Sequence, residues 1–222
     1  EDRMLISRPT KKAAGIEIFG DFKDIESLHE TVHFLCDSSI LVPQMEDYVL
    51  GLAYEIRHCY QGDRLKEYFG EKGVDGAEYF GFRYLWPQFL VQLSLLRNVA
   101  NSIKTNHEHQ SNIFRLEHIA LEALVKLDPK MASNIFALLP NLAELNHKNY
   151  LFQFIDYQTW EYVTDLKTKH DRLFDLEDLM KELLPSSEDY RDFRLGLVKA
   201  AKKKGCSPLE IDYAYEWPEF KW

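Results

Sequence analysis

Two histidines on the first predicted helix have a spacing that could support metal chemistry. His29, Glu30 and His33 form an HExxH pattern, and histidines four residues apart on a helix lie on one face, where both can bind Zn²⁺. The intervening glutamate could then polarise a zinc-bound water for hydrolysis. A third ligand is also required, and Glu55 on the following predicted helix is the candidate. His29, His33 and Glu55 therefore define an alternative zinc site.

The HExxH pattern resembles the zincin metallopeptidase signature, but its surroundings favour a structural role. Cys36 and Ser39 occupy the positions at which the metzincin extension has glycine and histidine, which excludes that class. The sheet that supports a zincin helix would have to come from only about 20 preceding residues, where ordinary strands take about 5–6 each. The histidines also flank an apolar face of Leu28, Val32 and Leu35. We therefore expect no cofactor, with zinc as the alternative.

A second concentration of polar groups lies where the second predicted helix ends. Apolar residues at helical spacing predict a helix over 44–61, and Gly62 takes the place of a C-terminal capping glycine. Hydrogen-bonding side chains are denser around this end than elsewhere in the chain. This polar cluster comprises Glu55, Arg57, His58, Tyr60, Gln61, Asp63 and Arg64.

The polar cluster allows two interpretations. As a site, Arg57 and Arg64 could hold an anion while His58 or Asp63 acts as acid or base. As a structural feature, the arginines would pair with Glu55 or Asp63 and tie the helix to its neighbours. We favour the structural interpretation, because charged helix ends are common and the sequence shows no nucleophile–base pair beside these residues.

The sequence of the polar cluster also carries a family resemblance. The run Tyr54-Glu-Ile-Arg-His-x-Tyr-Gln-Gly-Asp-Arg64, together with Tyr84-x-Trp86-Pro87, resembles an uncharacterised bacterial family with a domain of unknown function. The strand-like stretch from Gly15 to Asp21 fits the opening of that family. The resemblance covers roughly the first half of the chain. It implies a bacterial, cytoplasmic protein and supplies no chemistry.

The composition limits the class of partner. Hydrophobic residues make up 45% of the 222 residues and aromatic residues 14%, enough to bury a core and still present aromatic side chains to a partner. The formal net charge of -9 repels phosphate backbones and disfavours nucleic acid. Lysines at 199 and 202–204 suit the last turn of a helix. We therefore expect another protein as the partner.

Cysteine usage and hydropathy favour the cytoplasm. The three cysteines are scattered and include no CxxC pair, so the chain has no disulfide framework. No apolar run reaches the ~18 residues that a membrane span requires, and no signal peptide opens the chain. These features predict a cytoplasmic protein without a membrane partner.

The element pattern predicts an α+β fold that is mainly helical. A small antiparallel sheet is expected from an N-terminal hairpin, a strand at 79–85 and a C-terminal strand. In the C-terminal strand, Ile211, Tyr213, Tyr215 and Trp217 alternate with other residues.

The helices are predicted to form a single domain over residues 1–222 with the sheet. Asp24 is the expected N-cap of the first helix, and Gly205 the expected stop of the last. A polar loop at 106–112 is the best internal sub-boundary, and its two histidines are expected to be solvated rather than bound to metal.

Two functional classes remain. The first is a non-catalytic interaction or regulatory protein, such as an immunity or defence-accessory factor, which fits the acidic charge, the aromatic content and the lack of a complete catalytic set. The second is a hydrolase, acting through the HExxH zinc site or through Arg57, His58, Asp63 and Arg64. We favour the first class, and the sequence leaves open whether the chain is an enzyme.

Overall fold

The structure of the protein is a computed structural model, which describes residues 5–38, 43–71, 76–142, 151–164, 168–211 and 216–222. These residues form four strands and eight α-helices, in the order β1 (Ile6–Pro9), β2 (Gly15–Gly20), α1 (Phe22–Asp37), α2 (Pro43–Tyr60), β3 (Leu65–Phe69), β4 (Ala77–Leu85), α3 (Trp86–Ser102), α4 (His107–Val125), α5 (Pro129–Leu142), α6 (Leu151–Thr164), α7 (Lys169–Glu182) and α8 (Glu188–Lys204). The predicted fold class, α+β and mainly helical, is confirmed. None of the described helices combines the length and apolar character that a membrane span needs.

The four strands form one antiparallel sheet in the order β1-β2-β4-β3. β2 is buried along its whole length, and its register with β4 places Glu17 opposite Arg83. Gly15 is required at the start of β2, because a Cβ there would lie 1.9 Å from the carbonyl oxygen of Tyr84. The glycine therefore lets β2 pair closely with the last residues of β4.

The second edge of the sheet differs from the prediction. β4 pairs on that side with β3. The side chains of β3 alternate between half-buried and exposed, but they do not form the apolar face by which a strand is predicted from sequence. The described residues at the C-terminal end add no strand to the sheet, because Ile211 follows a 3₁₀ turn at Pro208–Glu210 and residues 216–222 are irregular. Tyr213 and Tyr215 of the predicted C-terminal strand lie outside the described residues.

Helix α3 lies at the centre of the hydrophobic core. It packs against α1, α2, α4, α5, α6, α7 and two strands, and its buried residues point in all directions around the helix axis, as expected for a fully enclosed helix. The face of α1 predicted to be apolar is also confirmed, since Ile25, Leu28, Val32 and Leu35 are all buried.

The predicted cap of the first helix and the predicted polar loop at 106–112 are both wrong. The first helix is capped by Asp21 rather than Asp24, because the Asp21 carboxylate accepts the Asp24 backbone N–H. Helix α4 begins at His107, because the Asn106 side chain accepts the N–H of His109 and caps it. The polar loop predicted at this point is therefore helical from its second residue.

A row of ion pairs connects all four strands. The Glu17 side chain on β2, only 9% exposed, accepts hydrogen bonds from Arg8 on β1 at 2.6 Å and from Arg83 on β4 at 2.8 Å. Arg8 also donates to both carboxylate oxygens of Glu67 on β3. Burial alone would raise the pKa of Glu17, but the hydrogen bonds from the two arginines outweigh burial and lower it.

Candidate functional site

Helix α2 ends in a Schellman motif. Gly62 has a left-handed φ of 85°, its N–H donates to the Cys59 carbonyl, and the N–H of Asp63 donates to the His58 carbonyl, each at 2.9 Å. The predicted role of Gly62 at the end of the helix is therefore confirmed. The turn directs the Asp63 side chain back towards α2.

The charged residues of the polar cluster form two separate pairs. Arg64 Nε and Nη2 donate to the two carboxylate oxygens of Glu55 at 2.7 and 2.9 Å, which raises the pKa of Arg64. His58 Nδ1 lies 2.9 Å from a carboxylate oxygen of Asp63. Both pairs reach solvent, and the Asp63 side chain is 55% exposed. Gln61 is exposed and its side chain makes no hydrogen bond to the described residues.

Arg57, on the same helix, has no carboxylate partner among the described residues. Its guanidinium lies 5.3 Å from the ring centroid of Tyr54, within the range of a cation–π contact. The Tyr54 ring also contacts His58, with the ring centroids 4.3 Å apart. Arg57 is exposed and Tyr54 is 50% exposed, so both side chains are available to a partner.

The HExxH histidines of α1 lie beside the same part of α2. The ring centroids of His29 and His33 lie 4.5 Å apart, and those of His29 and Tyr60 lie 5.5 Å apart. Phe22, at the start of α1 and 45% exposed, also contacts Tyr60, with the ring centroids 5.7 Å apart. The two motifs identified in the sequence therefore meet on one surface. We define the α1–α2 surface by Phe22, His29, His33, Tyr54, Arg57, His58 and Tyr60.

The environment of His29 keeps its imidazole neutral. Burial against α2 lowers its pKa, and the charges of His33 and Arg57 lower it further. The unperturbed histidine pKa is already below 7 at about 6.5. The α1–α2 surface consequently presents His29 as an uncharged ring at neutral pH.

Sequence reasoning missed a second group of polar side chains, which lies beneath α2. Gln92 Nε2 donates to the Tyr84 hydroxyl at 2.9 Å and to the Tyr48 carbonyl at 2.8 Å. Asp156 on α6 accepts a 3.2 Å hydrogen bond from Gln88, and burial raises the pKa of the Asp156 carboxyl. Tyr84 belongs to the Tyr-x-Trp-Pro motif, but no local pattern marks Gln92 or Asp156. These contacts join α2, β4, α3 and α6 internally.

A family model for a domain of unknown function, DUF6904, matches residues 5–222. The chain belongs to the DUF6904 family. The match extends over the second half of the chain as well as the first, where the sequence resemblance was found. Searches of the curated proteins and of the solved structures return no match.

In this DUF6904 chain the alternative zinc ligands do not converge. The zinc site would require His29, His33 and Glu55 around one ion, but both oxygens of the Glu55 carboxylate accept hydrogen bonds from Arg64. Within the described ranges, no three His, Cys, Asp or Glu side chains are placed to hold one metal ion. Among the described residues, the helical spacing of HExxH is thus present without a third ligand.

Among the described residues, the polar cluster forms part of a catalytic arrangement. A histidine whose Nδ1 contacts an aspartate has the geometry of a base and the group that orients it. A nucleophile would have to lie next to the other ring nitrogen. Among the described residues, the side chains in contact with the His58 ring are Asp63 and Tyr54, and no serine, threonine or cysteine is hydrogen-bonded to it.

Proposed function

We propose that this protein is a non-catalytic interaction protein that binds another protein through the α1–α2 surface. The observation that carries the proposal is the exposure of Phe22 and of Tyr54, whose ring contacts Arg57, a cation with no carboxylate partner among the described residues. Tyrosine and arginine are among the residue types that contribute most to binding energy at protein interfaces. An exposed aromatic ring that is already held by its neighbours loses little side-chain entropy when a partner covers it.

The charge of the α1–α2 surface supports a protein partner with mixed chemistry. Glu55 neutralises Arg64 within the cluster, and the pKa of His29 is lowered. Within the described part of the α1–α2 surface, Arg57 is thus the cation left to attract a carboxylate. We expect the partner to offer an apolar hollow for Tyr54 and Phe22 and an acidic side chain for Arg57.

We propose the bacterial cytoplasm as the setting, in agreement with the three cysteines, all of which are free thiols. Burial raises the pKa of Cys36 and Cys59 to about 12, so neither thiol ionises readily. Within the interaction class, we propose a regulatory, immunity or defence-accessory role, in which the protein acts by covering a surface of its partner. A toxin encoded by a neighbouring gene would support the immunity role.

The test compares the proteins that the purified wild type binds in affinity capture with those that two matched variants bind. The double variant Tyr54→Ala/Arg57→Ala removes the exposed ring and the unpaired cation. The control Phe174→Ala removes a ring on α7 that is 74% exposed and lies outside the α1–α2 surface. We expect a protein that is captured by the wild type and by Phe174→Ala, with at least roughly 30-fold weaker binding to the double variant.

Thermal melting of all three proteins establishes that the variants are folded. A double variant that is folded and captures the same proteins with the same affinity as the wild type would contradict the proposal. Equal losses in the double variant and in Phe174→Ala would also contradict it, because they would show that no specific surface is involved.

A further inference from the structure

Arg172 on α7 is a buried cation held by backbone carbonyls. The residue is only 1% exposed. Its Nη1 donates to the carbonyl oxygens of Lys12 at 3.1 Å and Lys221 at 2.9 Å. Its Nε and Nη2 donate to the carbonyls of Tyr162 and Val163, close to the end of α6, at 3.4 and 3.3 Å. Arg172 therefore links α6 and α7 to the β1–β2 hairpin and to residue 221.

The hydrogen bonds of Arg172 leave its charge unbalanced. A guanidinium has five N–H donors, and the four contacts to carbonyls use four of them, which leaves one donor on Nη2 without a partner among the described residues. No carboxylate among the described residues contacts the guanidinium. Burial without a counter-charge lowers the pKa of Arg172, in contrast to the carboxylate-paired Arg8 and Arg64, whose pKa values are raised.

Arg172 also lines a cavity of about 320 Å³. Its walls are formed by apolar Val163, Pro218 and Phe220 and by polar Thr164, Arg172, Glu219 and Lys221. The Oγ1 atom of Thr164 is buried and has no hydrogen-bond partner in the part of the chain that the structure describes. Buried hydroxyls are normally hydrogen-bonded, so this one is a donor for which the described residues supply no acceptor.

We infer that this cavity binds a small organic monocarboxylate. One carboxylate oxygen would accept the remaining N–H of Arg172, and the other would accept the hydroxyl hydrogen of Thr164. The apolar residues would cover a short hydrocarbon chain, since ligand sites typically combine an apolar wall with a few directed polar groups. A single negative charge suits the site best, because Glu219 also lines the cavity and would repel a multiply charged anion.

The test uses the full chain with sodium acetate, butyrate and benzoate as probes, and with sodium chloride at equal ionic strength as the reference. A ligand that binds only the folded state raises the melting temperature in a saturable manner. We expect saturable stabilisation by the carboxylates beyond that of chloride, and tighter binding of butyrate than of acetate because its longer chain reaches the apolar wall.

Thr164→Val tests the role of the unpaired hydroxyl, because valine keeps the shape of the side chain and removes its donor. The matched control is Thr159→Val on the same helix, whose hydroxyl donates to the Ile155 carbonyl and does not line the cavity. We expect butyrate to bind about ten-fold more weakly to Thr164→Val and with unchanged affinity to Thr159→Val. A wild type stabilised no more by carboxylates than by chloride would overturn the inference, as would equal butyrate affinities in the two variants.

Discussion

Arg64 and Arg172 both lie close to the end of a helix, but they differ in their exposure and in the groups that they bind. Arg64 follows α2, its side chain is 33% exposed, and it pairs with the carboxylate of Glu55, nine residues away. Arg172 is buried and bonded to carbonyls of Lys12 and Lys221, which lie 160 and 49 residues away. The partner of Arg64 is close to it in the sequence, whereas the partners of Arg172 reach it only when distant segments of the chain pack together.

This difference shows that the density of polar residues in a sequence does not indicate how much each one stabilises the protein. The polar cluster at the end of α2 contains seven hydrogen-bonding residues, but its ion pairs reach solvent, and exposed pairs typically contribute only about 0–1 kcal/mol. Arg172 lies in an unremarkable stretch of α7. Its loss would remove four hydrogen bonds to carbonyl groups, two of which are buried, and each buried group left unpaired costs about 1–3 kcal/mol.

The largest expected effect is therefore that of Arg172→Met. The substitution keeps an unbranched side chain but removes every donor, and we expect the free energy of unfolding to fall by about 3–5 kcal/mol. Denaturant unfolding of wild type and variant measures the difference. Arg191→Met is the control, because Arg191 is exposed on α8 and its loss should cost less than about 1 kcal/mol. Equal losses in the two variants would remove the contrast between the two arginines.

An intermediate effect is expected for Glu17→Gln. Glu17 is buried like Arg172 but paired with the charged side chains of Arg8 and Arg83, and the neutral amide would leave both arginines without a full counter-charge. We expect a loss of about 1–3 kcal/mol at pH 7, measured by denaturant unfolding. A loss as large as that of Arg172→Met would contradict the ranking.

The ion pairs of Glu17 also predict a pH dependence of stability. Because the pKa of Glu17 is lower in the folded protein than its usual 4.5, its contribution is complete above that value and is lost as the pH falls through the lowered folded pKa. The stability difference between wild type and Glu17→Gln should therefore shrink on acidification below about pH 4.5. A difference that stays constant down to pH 2 would show that the Glu17 charge is not responsible.

The smallest effect is expected for Asp63→Ala. Its carboxylate is more than half exposed and contacts His58 rather than a buried arginine, so we expect a change below about 1 kcal/mol in the free energy of unfolding. Added salt should reduce the change further, because surface charges are screened. A salt-independent loss above about 3 kcal/mol would mean that the polar cluster contributes as much to the free energy of unfolding as Arg172 does.

Local features of the chain could be predicted because their causes lie within a few residues. Gly62 ends α2 because the Schellman turn needs a left-handed residue, and Pro87 lies in the first turn of α3, where its missing N–H costs nothing. Strand β3 could not be predicted in the same way. Its pairing with β4 is decided by the sheet, and its own side chains show no apolar alternation.

The candidate site was predictable in its parts but not in its assembly. The HExxH spacing and the polar cluster are both visible in the sequence, whereas the contact of His29 with Tyr60 depends on how α1 packs against α2. The contacts of Arg172 with Lys12 and Lys221 depend on three segments far apart in the chain. The hydrophobic periodicity of helices and strands in a sequence does not predict such contacts.

The long-range contacts of Arg172 also affect how the protein folds during synthesis. The carbonyls of Ala13 and Lys12 in the β1–β2 hairpin bond to Tyr162 and Arg172, partners 149 and 160 residues later in the chain. Contacts between distant residues slow folding, because closing a long loop costs entropy before the contact forms. At about 5–20 residues per second, a ribosome takes roughly 8–30 s to make the intervening segment. The hairpin turn, whose Ala13 and Ala14 end fully buried, must wait that long for its hydrogen bonds from Tyr162 and Arg172, although α1, α3 and α4 already pack against its strands.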